Sequence, residues 1–217
     1  MDTGRPTQAG LVGLAAQPLY VVVELVVAAV LWSRSSAPYS LLDNTISDLG
    51  AVTCTEVAYP WGPVPVCSPA HALMNAGFVV FGVALAAGAV LARDALPAGR
   101  LRPWVIGLLV VAGLSSVGTG LVPLDRDLEL HALVSTPAFL AQPLAVLLLS
   151  RLMRGTHPGL ARSARAVGVL SLVGAVVFFA RAAEPELGGL WERLALWPSL
   201  LWFGVLAAGL ARRPAPA

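Results

Sequence analysis

The 217-residue chain is 57% hydrophobic and 12% charged, with a mean hydropathy of +0.78, whereas soluble domains average about 25% charged residues. That composition excludes a water-soluble globular domain and identifies an integral membrane protein. The net charge of +2 comes entirely from arginine on the basic side and is scattered over loops without interleaved aromatics, so it is not a nucleic-acid signal.

In chain order, apolar runs at 11–32, 70–91, 103–121, 131–149, 166–181 and 194–210 each approach the ~20 residues that cross ~30 Å of hydrocarbon as helix. They predict an all-α six-transmembrane-helix bundle forming a single membrane domain over 1–217. The only long connection, 33–69, is too short for a core of its own. The first run carries Gln17, Tyr20 and Glu24 as one stripe, and a carboxyl inside a span is costly to keep. A cleaved signal peptide is the alternative, with Arg5 before the run and Ser35-Ser36-Ala37 after it. A run of over twenty residues exceeds the usual 7–15-residue apolar segment, so the span is expected to stay.

Arginine placement sets the expected orientation, because short cytoplasmic loops carry the positive charge. With the N-terminus inside, the inner segments hold Arg5, Arg93, Arg100, Arg102, Arg151, Arg154, Arg162, Arg165, Arg212 and Arg213. Only Arg34, Arg126, Arg181 and Arg193 fall outside, beside Asp43, Asp48, Glu56, Asp125, Asp127, Glu129, Glu184, Glu186 and Glu192. Both termini are then cytoplasmic, and the expected location is the bacterial inner (plasma) membrane. Cys54 and Cys67 share the loop between helices 1 and 2, on the oxidising side, which predicts a disulfide there. The opposite topology would leave two free cysteines in a cytoplasmic loop.

Within that loop, Ser40 with Asp43 has the form of a helix start and Gly50 that of a stop. A short amphipathic interfacial helix is expected between them, with Leu41, Leu42, Thr45, Ile46 and Leu49 on one arc and Asp43, Asn44, Ser47 and Asp48 on the other. The plain alternative is an apolar arc dipped into lipid beneath a merely solvated polar one. Polar stripes recur on the spans: His71 with Asn75 opens the second, Ser115 with Thr119 closes the third before Asp125, and His131, Ser135 and Gln142 share a face of the fourth. Each has a structural alternative, since Ser and Thr in membrane helices often bond their own backbone and a lone interfacial histidine is often solvated. Arg181 and Glu184, three apart, read as a helix-surface ion pair. His71-Ala72-Leu73 and His131-Ala132-Leu133 echo one another sixty positions apart.

Asn44-Thr45-Ile46-Ser47-Asp48-Leu49-Gly50-Ala51, the run Cys67 to Phe78, and Gly120-Leu121-Val122-Pro123-Leu124-Asp125 with His131 following resemble the bacterial six-span family designated domain of unknown function 998. The resemblance covers nearly the whole chain and implies six helices and a membrane location, with no established activity. Ile46-Ser47-Asp48 and Gly50 also resemble the corresponding segment of the Frag1/DRAM/Sfk1 group, which is linked to lipid remodelling of glycolipid anchors and to autophagy.

Two functions are expected to compete. In the first, an outer-leaflet pocket acts on a membrane lipid as a hydrolase or acyl transferase. Asp48, His71 and His131, with Asp125, either hold a zinc ion that activates water or serve Ser47 as acid and base. Asn44, Asn75, Ser135 and Glu24 would bind the substrate. No HExxH or G-x-S-x-G motif supports this reading. In the second, the same polar groups stabilise the bundle or bind a lipid headgroup or small solute without chemistry. Membrane lipid is the expected partner, and association into a homo-oligomer is left open.

Overall fold

The computed structural model describes residues 4–34, 39–184 and 186–212. Ser35-Ser36-Ala37, the alternative cleavage site, and Arg213 lie outside the described residues. The described residues form seven α-helices and one hairpin, with two short 3-10 turns between them: α1 (Gly4–Ala15), α2 (Gln17–Arg34), β1 (Thr55–Tyr59), β2 (Gly62–Val66), α3 (His71–Leu91), α4 (Arg102–Leu121), α5 (Leu128–Leu152), α6 (Pro158–Ala180) and α7 (Gly188–Ala211). Six stretches are long and apolar enough to cross a membrane: Thr7–Leu31, counted across α1 and α2, and the helices α3 to α7.

The first span is two helices rather than one because Pro18 lacks the amide that would continue the ladder. Gln17 bridges the break, its Nε2 donating to the Gly13 carbonyl at 3.0 Å and to the Phe81 carbonyl of α3 at 3.2 Å. From α4 onward the helices begin before their apolar runs, whereas α3 matches its run to within one residue. α5 begins at Leu128, capped by Asp127, which accepts from the Leu130 amide, and α7 begins six residues before the run at 194.

Sequential helices pack against one another from α3 to α7, and α7 returns to α1 and α2, which also pack on α3, closing the bundle. α3 and α4 cross closely at Gly82 and Gly113, where a Cβ on either would meet the other's carbonyl oxygen at about 2.5–2.6 Å. α5 contains Pro137. Ser115 of α4 repairs the interrupted ladder, its Oγ donating to the Val134 carbonyl and accepting from the Ala138 amide at 3.1 Å. Thr119 Oγ1 donates to the Ser115 carbonyl. The Ser115–Thr119 stripe therefore serves the packing of the helices.

Two expectations for the 33–69 connection need correction. The Cys54–Cys67 bond is present, but it ties the base of a β-hairpin rather than an irregular loop, so the fold is not purely α. β1 and β2 pair antiparallel from Thr55↔Val66 to Tyr59↔Gly62. Pro63 and Pro65, two apart, lack an amide on the same edge, which faces away from β1. Val57 and Val66 bury with Ala51 and Leu124, seating the hairpin on the bundle.

The expected amphipathic helix over 40–50 is also replaced, by two capped turns. Ser40 Oγ accepts from the Leu42 and Asp43 amides as the cap reading requires. The turn then stops, because the carbonyls that would propagate it bond to α7. Gly189 N–H reaches the Asp43 carbonyl and Leu190 N–H that of Leu42, while Arg193 Nη1 takes those of Leu41 and Asn44. A Cβ at Gly189 would collide with the Asn44 carbonyl, so glycine permits this approach. A second cap follows: Thr45 Oγ1 accepts from the Asp48 amide while Asp48 Oδ2 accepts from the Thr45 amide, opening a single 3-10 turn over Ser47–Gly50.

Candidate functional site

The hairpin end of the bundle gathers the C-terminal ends of α2, α4 and α6, the N-terminal ends of α3, α5 and α7, and the two capped turns. The second turn hangs Ser47 over the bundle. Ser47 Oγ lies 2.9 Å from His131 Nε2, and His131 Nδ1 lies 2.6 Å from the Val122 carbonyl that follows α4. A carbonyl only accepts, so Nδ1 carries the proton and Nε2 is left to accept from the Ser47 hydroxyl. A hydroxyl paired with an oriented, unprotonated imidazole nitrogen is the elementary unit of nucleophilic acyl transfer. His131 is 5% exposed.

Asp48, beside Ser47 in sequence, turns away from His131. Its Oδ1 accepts from the Tyr59 hydroxyl at 2.6 Å, and its Oδ2 from Asn44 Nδ2 and the Thr45 amide. Burial pushes the Asp48 carboxyl above its ordinary value of 3.8, with the Tyr59, Asn44 and Thr45 donors pulling the other way. Burial likewise raises the Tyr59 phenol, reinforced by the Asp48 charge. Asp48 and Asn44 thus fasten the hairpin to the capped turns.

Asp125 is a clamp of a different kind. Its carboxylate accepts from the Val52 amide at 3.0 Å, the Thr53 amide at 2.8 Å and Thr53 Oγ1 at 2.6 Å. Burial would raise this carboxyl, but those donors outweigh it and hold it below 3.8. Asn75 braces the turn from α3 by donating Nδ2 to the Gly50 carbonyl, whereas His71 places Nδ1 2.8 Å from the Ser68 carbonyl just before its own helix. Among the described residues no three His, Cys, Asp or Glu side chains are grouped to hold a metal ion.

Glu24 belongs to a buried network unforeseen in the sequence. Arg193 Nε donates to Glu24 Oε1 at 2.9 Å and Trp197 Nε1 to Oε2 at 2.8 Å. Arg193 Nη2 reaches the Tyr39 hydroxyl at 2.7 Å. Glu192, alongside, takes the Ile46 amide on Oε2. Expected in an outer loop, Glu192 and Arg193 lie inside α7 and are 4% and 5% exposed. One signal was available: Gly188-Gly189 marks a helix start four residues earlier, and heptad-like spacing runs from Gly189 through Arg193 to Leu196 and Leu200.

Two cavities meet at Ser47, and a third lies nearby. An interior one of about 50 Å³ runs down the bundle from Ser47 and Glu192 past Tyr20 and Gln142. A second of about 110 Å³ includes His131, Thr136, Phe178 and Phe179, so it lies between α5 and α6. Ser47, Ser135, Phe139 and Glu192 line both. The third, about 190 Å³, lies beneath the hairpin against Asp48, Tyr59 and Trp61. Ser135 donates its Oγ back to the Ala132 carbonyl.

Fold and site together define a bundle with six membrane-length spans, closed at one end by a disulfide-tied hairpin over a partly buried serine–histidine pair. Residues 14–209 match the family described as protein of unknown function (DUF998), and the chain belongs to that family. No curated protein and no solved structure matches it.

Proposed function

We propose that the protein is a membrane-embedded lipid hydrolase or acyl transferase whose nucleophile is Ser47 and whose general base is His131. The hairpin end faces outward from the bacterial plasma membrane and both termini are cytoplasmic. The observation that carries this reading is the 2.9 Å approach of His131 Nε2 to Ser47 Oγ, with the tautomer fixed by Val122. His131 Nε2 takes the Ser47 proton as Oγ attacks an ester carbonyl, and returns it to the departing alcohol. A membrane lipid is the fitting substrate, because the cavity that reaches His131 lies between two apolar helices and is walled by Phe178 and Phe179. The serine–histidine pair, rather than zinc, is the basis of the proposal, since His71 and His131 bond separate backbone carbonyls.

Non-enzymatic lipid binding is the second reading, favoured by one observation: Glu24, Asp48 and Asp125 are each held by two or more protein donors, as structural carboxylates are. A fluorophosphonate probe, which phosphorylates activated serines, separates the two. Detergent-purified wild type is expected to gain one probe on Ser47 by intact mass. Ser47→Ala should gain none, and His131→Ala should react about a hundredfold or more slowly, the usual contribution of a general base. A folded wild type that never reacts would leave lipid binding as the function.

A further inference from the structure

Tyr20 lines the interior cavity at 4% exposure, and its hydroxyl is buried without a hydrogen-bond partner. An unpaired hydroxyl inside a membrane-spanning bundle is costly, which points to a polar occupant of the cavity. The surrounding wall is mostly apolar, with several polar groups set into it. Gln17 and Gln142 give their Nε2 groups to backbone carbonyls, so an amide oxygen remains as an acceptor on each. Thr119, Ser116 and Ser135 add hydroxyls. A volume of about 50 Å³ has room for about three waters, at ~15 Å³ each, and the polar groups are numerous enough to bind them.

The second cavity reaches the same serine from the α5–α6 side, where its wall includes Leu128, Ala132, Phe178 and Phe179. Ser47 therefore stands between two mostly apolar compartments, of which the interior one holds the unpaired Tyr20 hydroxyl. We propose that the interior cavity holds the water that releases an acyl group from Ser47, so that acyl donor and water approach the serine from different sides. The inference rests on the Ser47–His131 reading and selects hydrolysis over transfer to a second lipid. In the releasing step the water oxygen attacks the acyl carbonyl carbon while His131 Nε2 takes its proton. The bond from the carbonyl carbon to Ser47 Oγ then breaks, Oγ regains the proton from His131, and a carboxylic acid leaves. Tyr20, by donating to the water chain, is a positioning residue.

The test uses the full chain in detergent with 4-nitrophenyl octanoate, following the nitrophenol burst and acyl-Ser47 by intact mass. Tyr20→Phe keeps the ring that packs on Phe78 and Phe81 and removes only the hydroxyl. Its burst should match wild type while the acyl-Ser47 lifetime lengthens about tenfold, the equivalent of ~1.4 kcal/mol of lost transition-state stabilisation. Ala138→Leu, which fills the same cavity from α5, should lengthen the lifetime as well. Tyr20→Phe with an unchanged burst and an unchanged lifetime would overturn the water site while leaving the nucleophile standing. A wild type with no burst and no acyl-Ser47 would overturn the serine–histidine reading, and the water site with it.

Discussion

Arg193 joins more of the hairpin end than any other single side chain described. Its guanidinium pairs with Glu24 of α2, donates to Tyr39, and holds the carbonyls of Leu41 and Asn44, all with the side chain 6% exposed. A buried ion pair adds little over an apolar pair of equal volume, but removing one partner strands the other charge at about 3–5 kcal/mol. Glu24→Leu alone should therefore destabilise by that order. Arg193→Met should cost more, because it also frees the backbone of the first capped turn. The double variant Glu24→Leu/Arg193→Met should lie well below the sum of the two, read from equilibrium unfolding in mixed micelles. Strict additivity would mean that the pair is not coupled. Glu24 was legible in the sequence as an expensive residue within a span. Its partner was not, because Glu192 and Arg193 end the apolar run on any hydropathy count, and burial of Arg193 depends on a carboxylate 169 positions away in sequence. Ser47 and His131 were legible as candidates at a common depth. Their hydrogen bond was not, because it depends on a turn whose shape α7 dictates.

At the scale of elements, side-chain carboxylates hold the hairpin and the capped turns alongside apolar contact, and pH therefore acts on them directly. Asp43 accepts from the Leu187 amide and the Ser40 hydroxyl, and those bonds set its carboxyl below the ordinary 3.8; the Asp125 carboxyl is also low, for the reasons given above. A carboxyl whose folded value is depressed binds fewer protons folded than unfolded. Its stabilisation is thus complete above 3.8 and fades as pH falls through the lower folded value. Asp48 runs the other way: its raised value favours the folded state at low pH and loses that contribution as pH climbs above 3.8. Acidification below pH 3.8 should therefore expose the Val52, Thr53 and Leu187 amides to hydrogen exchange, after correction for intrinsic rates. Asp125→Asn, with a donor in place of one acceptor oxygen, should exchange Val52 and Thr53 quickly at neutral pH and lose the acid dependence at those two amides alone. Equal protection of Thr53 in wild type and variant would show that the clamp carries no weight. The capping residues of 40–50 could be read from the sequence, but the number of turns could not, because a helix and two capped turns share the same local residues and differ only in where four carbonyls find donors. The hairpin left a trace in the β-branched Val57, Val64 and Val66 around Trp61-Gly62, which the prolines of β2 masked.

At the scale of the whole molecule, three independent features divide the bundle into two unlike ends. The hairpin end carries Asp43, Asp48, Glu56, Asp125, Asp127 and Glu129 along with the disulfide and Ser47. The opposite end carries Arg93, Arg100, Arg102, Arg151 and Arg154, with Asp94 as the sole carboxylate of the α3–α4 connection. Six spans were legible because ~20-residue apolar runs leave few alternatives, whereas membrane sidedness depends on charge at the loops and on the redox state of Cys54 and Cys67. The orientation proposed above puts the hairpin end outside. Thiols placed at exposed positions test this without disturbing the core: Glu129→Cys at the start of α5 and Gly155→Cys between α5 and α6, where a Cβ meets nothing within 4 Å. In intact cells an impermeant maleimide should label Glu129→Cys at once and Gly155→Cys only after permeabilisation. The reverse pattern would place Cys54 and Cys67 in a reducing compartment and Ser47 at the cytoplasmic leaflet. A lipid substrate for this serine would then have to be sought on the inner face of the membrane.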